Sequence, residues 1–106
     1  MKCLKFAPPL PELVLAGTKN STWRIDDEKD ISVDDILSLC RIDGIEFAQA
    51  HVRWVKNTHF GDLTREDHEW HESFVNEEEL YATYLKYYNK TITKDSVVKI
   101  IKFELI

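Results

Sequence analysis

Alternating hydrophobic and polar positions predict several β-strands in this chain. Successive side chains of a strand point to opposite faces, so an apolar residue at every second position indicates one buried face. The predicted strands are residues 1–6, which can pair at a sheet edge, 22–24, 36–41, 46–58 and 96–105. Between the third and fourth, Asp43-Gly44 gives the clearest hairpin signal, because this pair suits a tight turn.

The longest predicted strand, residues 46–58, has two faces of different character. The residues of one face are small or aromatic, and we expect that face in a core beneath a helix. They are Ala48, Ala50, Val52 and Trp54. The opposite face carries His51 and Arg53, which can line the mouth of a barrel or meet solvent. Because polar side chains usually lie outside, we expect solvent.

Helices are predicted where apolar residues recur every three or four positions between end signals. The first is short, from Pro11 to Ala16, with Gly17 as its C-terminal cap. Two further helices open with capping boxes. Their residue pairs are Thr64 with Asp67 and Asn76 with Glu79. The last helix runs to about Tyr88, and we expect its apolar stripe to be buried. The stripe comprises Leu80, Tyr81, Tyr84, Leu85 and Tyr88.

The order of these elements and the chain length bound the fold. A helix, three strands, two helices and a closing strand favour a small α+β barrel over a doubly wound sheet. A chain of 106 residues is large enough for one ordinary core. We therefore predict a single domain over residues 1–106.

The distribution of charge limits the partners that the chain can bind. The formal net charge is −5, from 14 Lys and Arg residues against 19 Asp and Glu residues. Segments 26–35 and 62–79 are acidic, whereas segments 1–25, 36–61 and 80–106 are each slightly basic. Duplex nucleic acid needs a broad basic surface, so we expect no duplex DNA as a partner. A small basic site framed by acid suits a nucleoside or a few unpaired nucleotides.

Composition and cysteine usage indicate a soluble globular protein of the cytoplasm. Hydrophobic residues make up 43% and charged residues 31% of the chain. No apolar run approaches the ~20 residues of a membrane span, and the N-terminus lacks the apolar segment of a signal peptide. We therefore expect no membrane partner. Cys3 and Cys40 have no metal or redox spacing, and we expect both as reduced thiols in the cytoplasm.

The candidate chemistry lies in residues 17–24. Thr22 and Arg24 point to one face of a strand, and Trp23 points to the other, where it can anchor the strand in a core. Lys19, in the preceding turn, can lean over the face of Thr22. These groups make a compact site for an anionic or carbonyl-bearing ligand. Alternatively, Lys19 is a solvated lysine near a helix C-terminus, and Arg24 is a surface residue that answers the acidic run.

On this segment the chain resembles the ASCH domain family, whose signature is G-x-K-x-x-T-x-R. Gly17, Lys19, Thr22 and Arg24 match that signature. ASCH domains are compact RNA-associated barrels similar to PUA domains, so the resemblance implies a small PUA-like β-barrel with flanking helices. It also implies ligand contacts from Gly17 and Arg24. Residues 32–35 resemble the V-G-D turn of the family, but Asp34 replaces the glycine, and Asp tolerates a left-handed conformation better than most residues.

Some ASCH proteins are similar to amidohydrolases that act on N4-acetylcytidine through a Lys, a Thr and a Glu. The resemblance implies Lys19, Thr22 and Glu72 in these roles. Residues 72–74 stand where the family has an acid followed by Gly-Phe, although a serine replaces the glycine. On one unbroken helix Glu72 would point away from the apolar stripe, so Glu69 is the alternative acid.

The chemistry of such a triad follows from general principles. A threonine hydroxyl is a weak nucleophile unless a neighbouring base takes its proton. A lysine can be that base when burial or another cation lowers its pKa towards neutrality. Arg24 can supply the cation and hold a carbonyl or phosphate. The glutamate can orient the lysine or handle the proton of the leaving amine.

Two further readings of the same motif remain open. In a non-catalytic RNA-binding module, basic side chains would hold the backbone while a base is stacked. They are Lys19, Arg24, Arg53 and Lys56. Ribonuclease activity, also suggested for some family members, is the third reading. The motif alone does not separate these functions from amide hydrolysis.

Metal and cofactor motifs are weak or absent in the sequence. Three histidines, His59, His68 and His71, lie near many carboxylates, and residues 68–71 fall one residue short of an H-E-x-x-H zinc signature. No third ligand follows at a diagnostic spacing, so we predict no metal site. No phosphate-binding loop, dinucleotide fingerprint or G-x-S-x-G motif occurs, so we expect no cofactor.

Overall fold

The computed structural model describes residues 1–25, 29–68, 77–88 and 91–106, which form a curled five-stranded sheet with flanking helices. The strands are β1 (Lys2–Phe6), β2 (Ser21–Arg24), β3 (Ile36–Arg41), β4 (Glu46–His59) and β5 (Val97–Leu105). Their order across the sheet is β1-β3-β4-β5-β2. Strand β1 is parallel to β3, and the other neighbours are antiparallel. The two edges of the sheet are therefore β1 and the motif strand β2.

The described helices are α1 (Leu10–Leu15), α2 (Arg65–His68) and α3 (Glu77–Tyr88), with a 3₁₀ turn at Phe60–Asp62. Thr64 and Asp67 form the predicted capping box. The Thr64 N–H donates to Asp67 Oδ2 at 2.9 Å, and the Asp67 N–H donates to Thr64 Oγ1 at 3.3 Å. Asn76, the other predicted cap, lies outside the described residues. Sheet and helices together confirm the predicted α+β, PUA-like barrel.

Two turns adopt the left-handed backbone that their residues suggest. Gly44 has φ 90° in the predicted hairpin between β3 and β4, and the Arg41 N–H donates to the Ile45 carbonyl at 2.9 Å. Asp34, which replaces the glycine of the family turn, has φ 74°. An Asp tolerates this region better than most residues, so the turn forms without a glycine.

A β-bulge in β4 changes which residues the strand buries. Val52 and Trp54 pair with successive residues of β5, so Arg53 is the extra residue. Val52 is buried as predicted, but the prediction that Trp54 lies in the core is wrong, because its side chain is 39% exposed. The bulge reverses the alternation at this point. The indole ring of Trp54 instead lies 5.0 Å from the Lys102 Nζ, and Val55 packs against the core.

Two clusters of buried residues meet at β5. Ile101 and Phe103 belong to the sheet cluster, beside β1 and α1, whereas Val98 and Ile100 belong to the helix cluster, beside β2 and α3. The sheet cluster also contains Leu4, Phe6, Val14, Ile31, Leu37, Leu39, Ala50 and Val52. The helix cluster also contains Trp23, Ile25, Phe60, Leu80, Tyr84 and Ile92. The predicted burial of Leu85 is wrong, because this side chain is 46% exposed on α3.

Candidate functional site

The turn before β2 is set by Gly17. Its N–H donates to the Val14 carbonyl at 3.0 Å, and the Thr18 N–H donates to the Leu13 carbonyl at 3.1 Å. These two bonds form a Schellman motif, which ends a helix with a residue of positive φ, and Gly17 has φ 80°. Glycine adopts this conformation without steric cost. Gly17 thereby directs the chain from α1 towards β2 and brings Lys19 beside the strand.

Trp23 anchors the motif strand from the opposite face, as predicted. Its side chain is buried, and its ring centroid lies 6.2 Å from that of Phe60 and 6.1 Å from that of Tyr84. The indole N–H donates to the Asp67 carbonyl at 3.2 Å. Strand β2 is therefore fixed to α2 and α3 through one side chain, which leaves Thr22 and Arg24 on its other face.

Lys19, Thr22 and Arg24 line one cavity of about 230 Å³, called the first cavity below. Lys19 is only 2% exposed, and its Nζ donates to the Ser21 carbonyl at 2.6 Å. Thr22 is 4% exposed, and its Oγ1 accepts a hydrogen bond from Arg24 Nε at 3.2 Å. An amine, a hydroxyl and a guanidinium thus face a shared space, as the motif indicates. That a ligand binds there remains a prediction.

Arg24 spans the gap between the two edges of the sheet. Its Nη2 donates to the Lys5 carbonyl in β1 at 3.1 Å, and its Cζ lies 4.9 Å from the ring centroid of Phe6. The face of an aromatic ring attracts a cation, so this contact helps to fix the guanidinium. The first cavity therefore lies where the edge strands β1 and β2 face each other, with Arg24 held from both sides.

The remaining wall of the first cavity is mainly apolar. Tyr84 and Tyr88 of α3 contribute rings that are nearly parallel, with an interplanar angle of 7° and centroids 6.1 Å apart. The Tyr88 hydroxyl accepts a hydrogen bond from the Ile25 N–H at 3.3 Å. Tyr84 and Tyr88, which the apolar stripe predicts as core, therefore pack in the core and also line the first cavity. The main apolar and aromatic lining residues are Phe6, Leu10, Trp23, Ile42, Tyr84 and Tyr88.

Arg53 lies in a second, larger cavity that shares Lys19 with the first. This second cavity measures about 630 Å³ and is also lined by Gly17 and Lys102. Arg53 Nε and Nη2 each lie 2.9 Å from Glu104 Oε2, and the two side chains are 54% and 65% exposed. The prediction that Arg53 meets solvent agrees with this exposure. That Arg53 holds a nucleic-acid backbone remains a prediction, and the backbone would then bind at the second cavity.

The two candidates for the acid partner, Glu72 and Glu69, lie outside the described residues. Their roles rest on the family resemblance alone. Of the other predicted site residues, Lys19, Thr22 and Arg24 line the first cavity, and Gly17 and Arg53 line the second.

Asp67 is a buried carboxylate, and the sequence predicts only one of its two partners. Its two oxygens lie 3.1 and 2.9 Å from Lys56 Nζ, and one accepts the Thr64 N–H. Burial raises the pKa of Asp67, but the Thr64 backbone bond and the Lys56 cation more than offset this, so the pKa lies below its ordinary value of 3.8. The capping box predicts the Thr64 contact. The Lys56 partner comes from a different element and leaves no local signal.

Metal-binding and membrane-spanning features are not found in the described part of the chain. Within residues 1–25, 29–68, 77–88 and 91–106, no group of three or more potential metal ligands converges. His59 instead has its Nδ1 3.4 Å from Asp62 Oδ2. Over the same residues, no helix has both the length and the apolar character needed to cross a bilayer.

Comparison with known proteins identifies the fold. No family model and no curated protein matches the chain. An ASCH domain from Lactobacillus crispatus JV V101 is similar in structure, with a TM-score of 0.69 and 13% identity over 90% of this chain and 69% of the other. Protein EF3133 from Enterococcus faecalis V583 gives a TM-score of 0.74 and 16% identity, covering 92% of this chain and 66% of that one.

A third solved structure matches over the whole length of both chains. It is the hypothetical protein PH0355, with a TM-score of 0.75 and 26% identity over 100% of each chain. The similarity to the Lactobacillus domain and the strand order of the curled sheet point to the same architecture. The chain therefore has an ASCH-like fold, a small PUA-like barrel with flanking helices.

Proposed function

We propose that the first cavity binds a nucleoside or one unpaired RNA nucleotide and hydrolyses an amide on its base, as in N4-acetylcytidine. The observation that carries the proposal is the convergence of Lys19, Thr22 and Arg24 on one small cavity with aromatic walls. Pockets for drug-sized ligands usually measure roughly 300–1,000 Å³. The first cavity, at about 230 Å³, is smaller than these pockets and suits a single base with part of its sugar.

The walls of the first cavity suit a planar, weakly polar ring. Leu10, Ile42 and Tyr88 offer apolar surface on which a base can lie. Arg24 is fixed by the Lys5 carbonyl and the Phe6 ring, so its guanidinium can hold a carbonyl oxygen at little further entropic cost. An acetylated cytosine carries both features, a flat ring and an amide carbonyl.

In the proposed reaction, Thr22 Oγ1 attacks the acetyl carbonyl and Lys19 takes the hydroxyl proton. The C–N bond then breaks, the exocyclic amine of the base leaves with a proton, and the acetyl group remains on Thr22. Water hydrolyses this ester to give acetate and free Thr22. In this role Lys19, which is buried and lines the same cavity as Thr22, has to act as a neutral amine. The Arg24 N–H bonded to Thr22 Oγ1 favours negative charge on that oxygen.

The acid in this scheme is Glu72, with Glu69 as the alternative. Either carboxylate would orient Lys19 or carry the proton to the leaving amine. Gly17 supports the site through the turn that it forms, because it brings Lys19 to the cavity.

The test is turnover of N4-acetylcytidine by the wild type and by Thr22→Val. Valine keeps the volume of threonine and removes the hydroxyl, so we expect release of acetate to fall at least about 1,000-fold while the fold remains. Thr22→Ser keeps the hydroxyl and should retain turnover. The matched control is Thr18→Val, since Thr18 is exposed and its hydroxyl donates to the Leu13 carbonyl at the C-terminal end of α1. Equal turnover by Thr22→Val and wild type would exclude Thr22 as nucleophile.

A non-catalytic RNA-binding module is the second candidate, and the second cavity favours it. Arg53 and Lys102 lie there beside Lys19, so a phosphate next to a base in the first cavity would meet positive charge. Binding that uses phosphate contacts weakens steeply with salt, whereas a nucleoside in an apolar cavity responds little. A salt titration with cytidine and with a short single-stranded RNA therefore separates the two functions. Strand cleavage in the same samples would indicate a ribonuclease.

A further inference from the structure

Two thiols from neighbouring strands are in contact. Cys3 lies in β1 and Cys40 in β3, 37 residues apart in sequence, and their Sγ atoms are 2.9 Å apart. Both cysteines are free. A disulfide bond has a length of about 2.05 Å, so the two sulfurs need to approach by less than about 1 Å to be bonded.

The two thiols differ in their access to solvent. Cys40 is buried, with 4% of its surface exposed, whereas Cys3 is half-buried in an edge strand. Ser38 Oγ lies 3.4 Å from Cys40 Sγ and gives that sulfur a polar neighbour. A small oxidant therefore meets Cys3 first, with Cys40 already in place behind it.

We propose that Cys3 and Cys40 form an oxidation site, which a peroxide converts into an intramolecular disulfide. In the first step the Cys3 thiolate attacks one oxygen of hydrogen peroxide, which yields a sulfenic acid on Cys3 and releases hydroxide. In the second step Cys40 attacks that sulfur, a disulfide forms, and the sulfenic oxygen leaves as water. Each thiol loses one hydrogen, the peroxide is reduced to two molecules of water, and a dithiol reductant reverses the reaction.

The disulfide would tie together two segments that wall the first cavity. Lys5 and Phe6 follow Cys3 in β1, and Ile42 follows Cys40 at the end of β3. The Lys5 carbonyl also accepts the hydrogen bond from Arg24. Oxidation would thus stiffen the edge strand that holds Arg24. This inference stands on the thiol geometry and is independent of what the cavity binds.

The rate of oxidation should depend on pH in a defined direction. The hydrogen bond to Cys40, burial and the Cys40 charge raise the pKa of Cys3 above its ordinary value of 9.0, and the nearby cations of Lys29 and Lys5 oppose this only in part. The thiolate is the reactive form, so oxidation is slow near neutral pH and accelerates as the pH rises towards the pKa.

The experiment treats the full chain with hydrogen peroxide and compares intact mass and peptide maps with and without reductant. We expect the monomer to lose two hydrogens, a peptide map to join Cys3 with Cys40, and the midpoint of thermal unfolding to rise by at least about 5 °C. Reductant should reverse all three changes. The disulfide should form faster at pH 9 than at pH 7.

The control variants are Cys3→Ser and Cys40→Ser, each of which keeps a small polar side chain. Neither should gain the link or the rise in the unfolding midpoint after peroxide treatment. The proposal is wrong if folded wild-type protein gives only sulfinic acids or disulfide-linked dimers. It is equally wrong if the link forms only after denaturation.

Discussion

The two cavities that share Lys19 hold their charges in opposite ways. In the first cavity, Arg24 is fixed by the Lys5 carbonyl, Thr22 and the Phe6 ring, within an aromatic and apolar wall. In the second, Arg53 pairs with Glu104 where both side chains are more than half exposed. Electrostatic interactions are strong away from water and weak at an exposed surface. The first cavity is therefore suited to chemistry and the second to weak, salt-dependent contacts.

The largest expected effect is on stability, through the buried ion pair that supports the first cavity. Asp67→Asn keeps the shape of the side chain but removes the charge that pairs with Lys56. We expect the free energy of unfolding to fall by about 2 kcal/mol, less than the ~3–5 kcal/mol of a fully buried pair, because Lys56 is about one-third exposed. Trp23 binds the Asp67 carbonyl, so ligand binding to the first cavity should weaken as well.

Acid unfolding checks the same prediction. The folded-state pKa of Asp67 lies below its ordinary value of 3.8, so its stabilising effect is complete above that pH and is lost as the pH falls through the folded-state pKa. The stability difference between wild type and Asp67→Asn should shrink below about pH 4. A difference that stays constant down to acid unfolding would show that the charge of Asp67 contributes nothing. Asp95→Asn, at an exposed turn, is the matched control.

The next effect is on ligand affinity in the first cavity. Arg24→Gln removes a guanidinium that bonds Thr22 and Lys5, so nucleoside affinity should fall about 10-fold. Arg24→Lys keeps the charge without the planar fork and should not restore the affinity. Calorimetric titration with cytidine, the product of the proposed reaction, measures both affinities. An unchanged affinity in Arg24→Gln would show that Arg24 does not contribute to nucleoside binding.

The smallest effect belongs to the second cavity. Arg53→Gln should leave nucleoside binding and turnover unchanged, because Arg53 does not line the first cavity. For a short single-stranded RNA, the slope of log affinity against log salt should fall by about 0.7 if Arg53 holds one phosphate. Arg41→Gln is the matched control, since Arg41 pairs with Glu12 elsewhere on the surface. If Arg53→Gln weakened nucleoside binding as much as it weakened RNA binding, the two cavities would not have separate roles.

Local signals in the sequence predict much of this molecule. The Gly17 turn, the Thr64–Asp67 capping box and the Asp43-Gly44 hairpin each depend on a few neighbouring residues, and each forms as expected. The face of Trp23 follows from the two-residue period of a strand. Where an interaction is local, the identity of the side chains decides the geometry.

Interactions between distant elements leave no such signal. The bulge at Arg53 depends on how β4 pairs with β5, so the simple alternation places Trp54 in the core although it is exposed. Lys5 holds Arg24 only because the curled sheet brings β1 towards β2. Ionic partners such as Lys56 and Asp67 likewise meet only after folding. The motif identifies three polar groups of the site, whereas its aromatic wall comes from the tertiary fold.

The most direct test of the account is a crystal structure of the protein bound to cytidine, the product of the proposed reaction. We expect the base in the first cavity against Tyr88, with its exocyclic amine beside Thr22 and a polar atom on Arg24. Cytidine bound away from Lys19 and Thr22, or a first cavity that stays empty at saturating cytidine, would contradict the account.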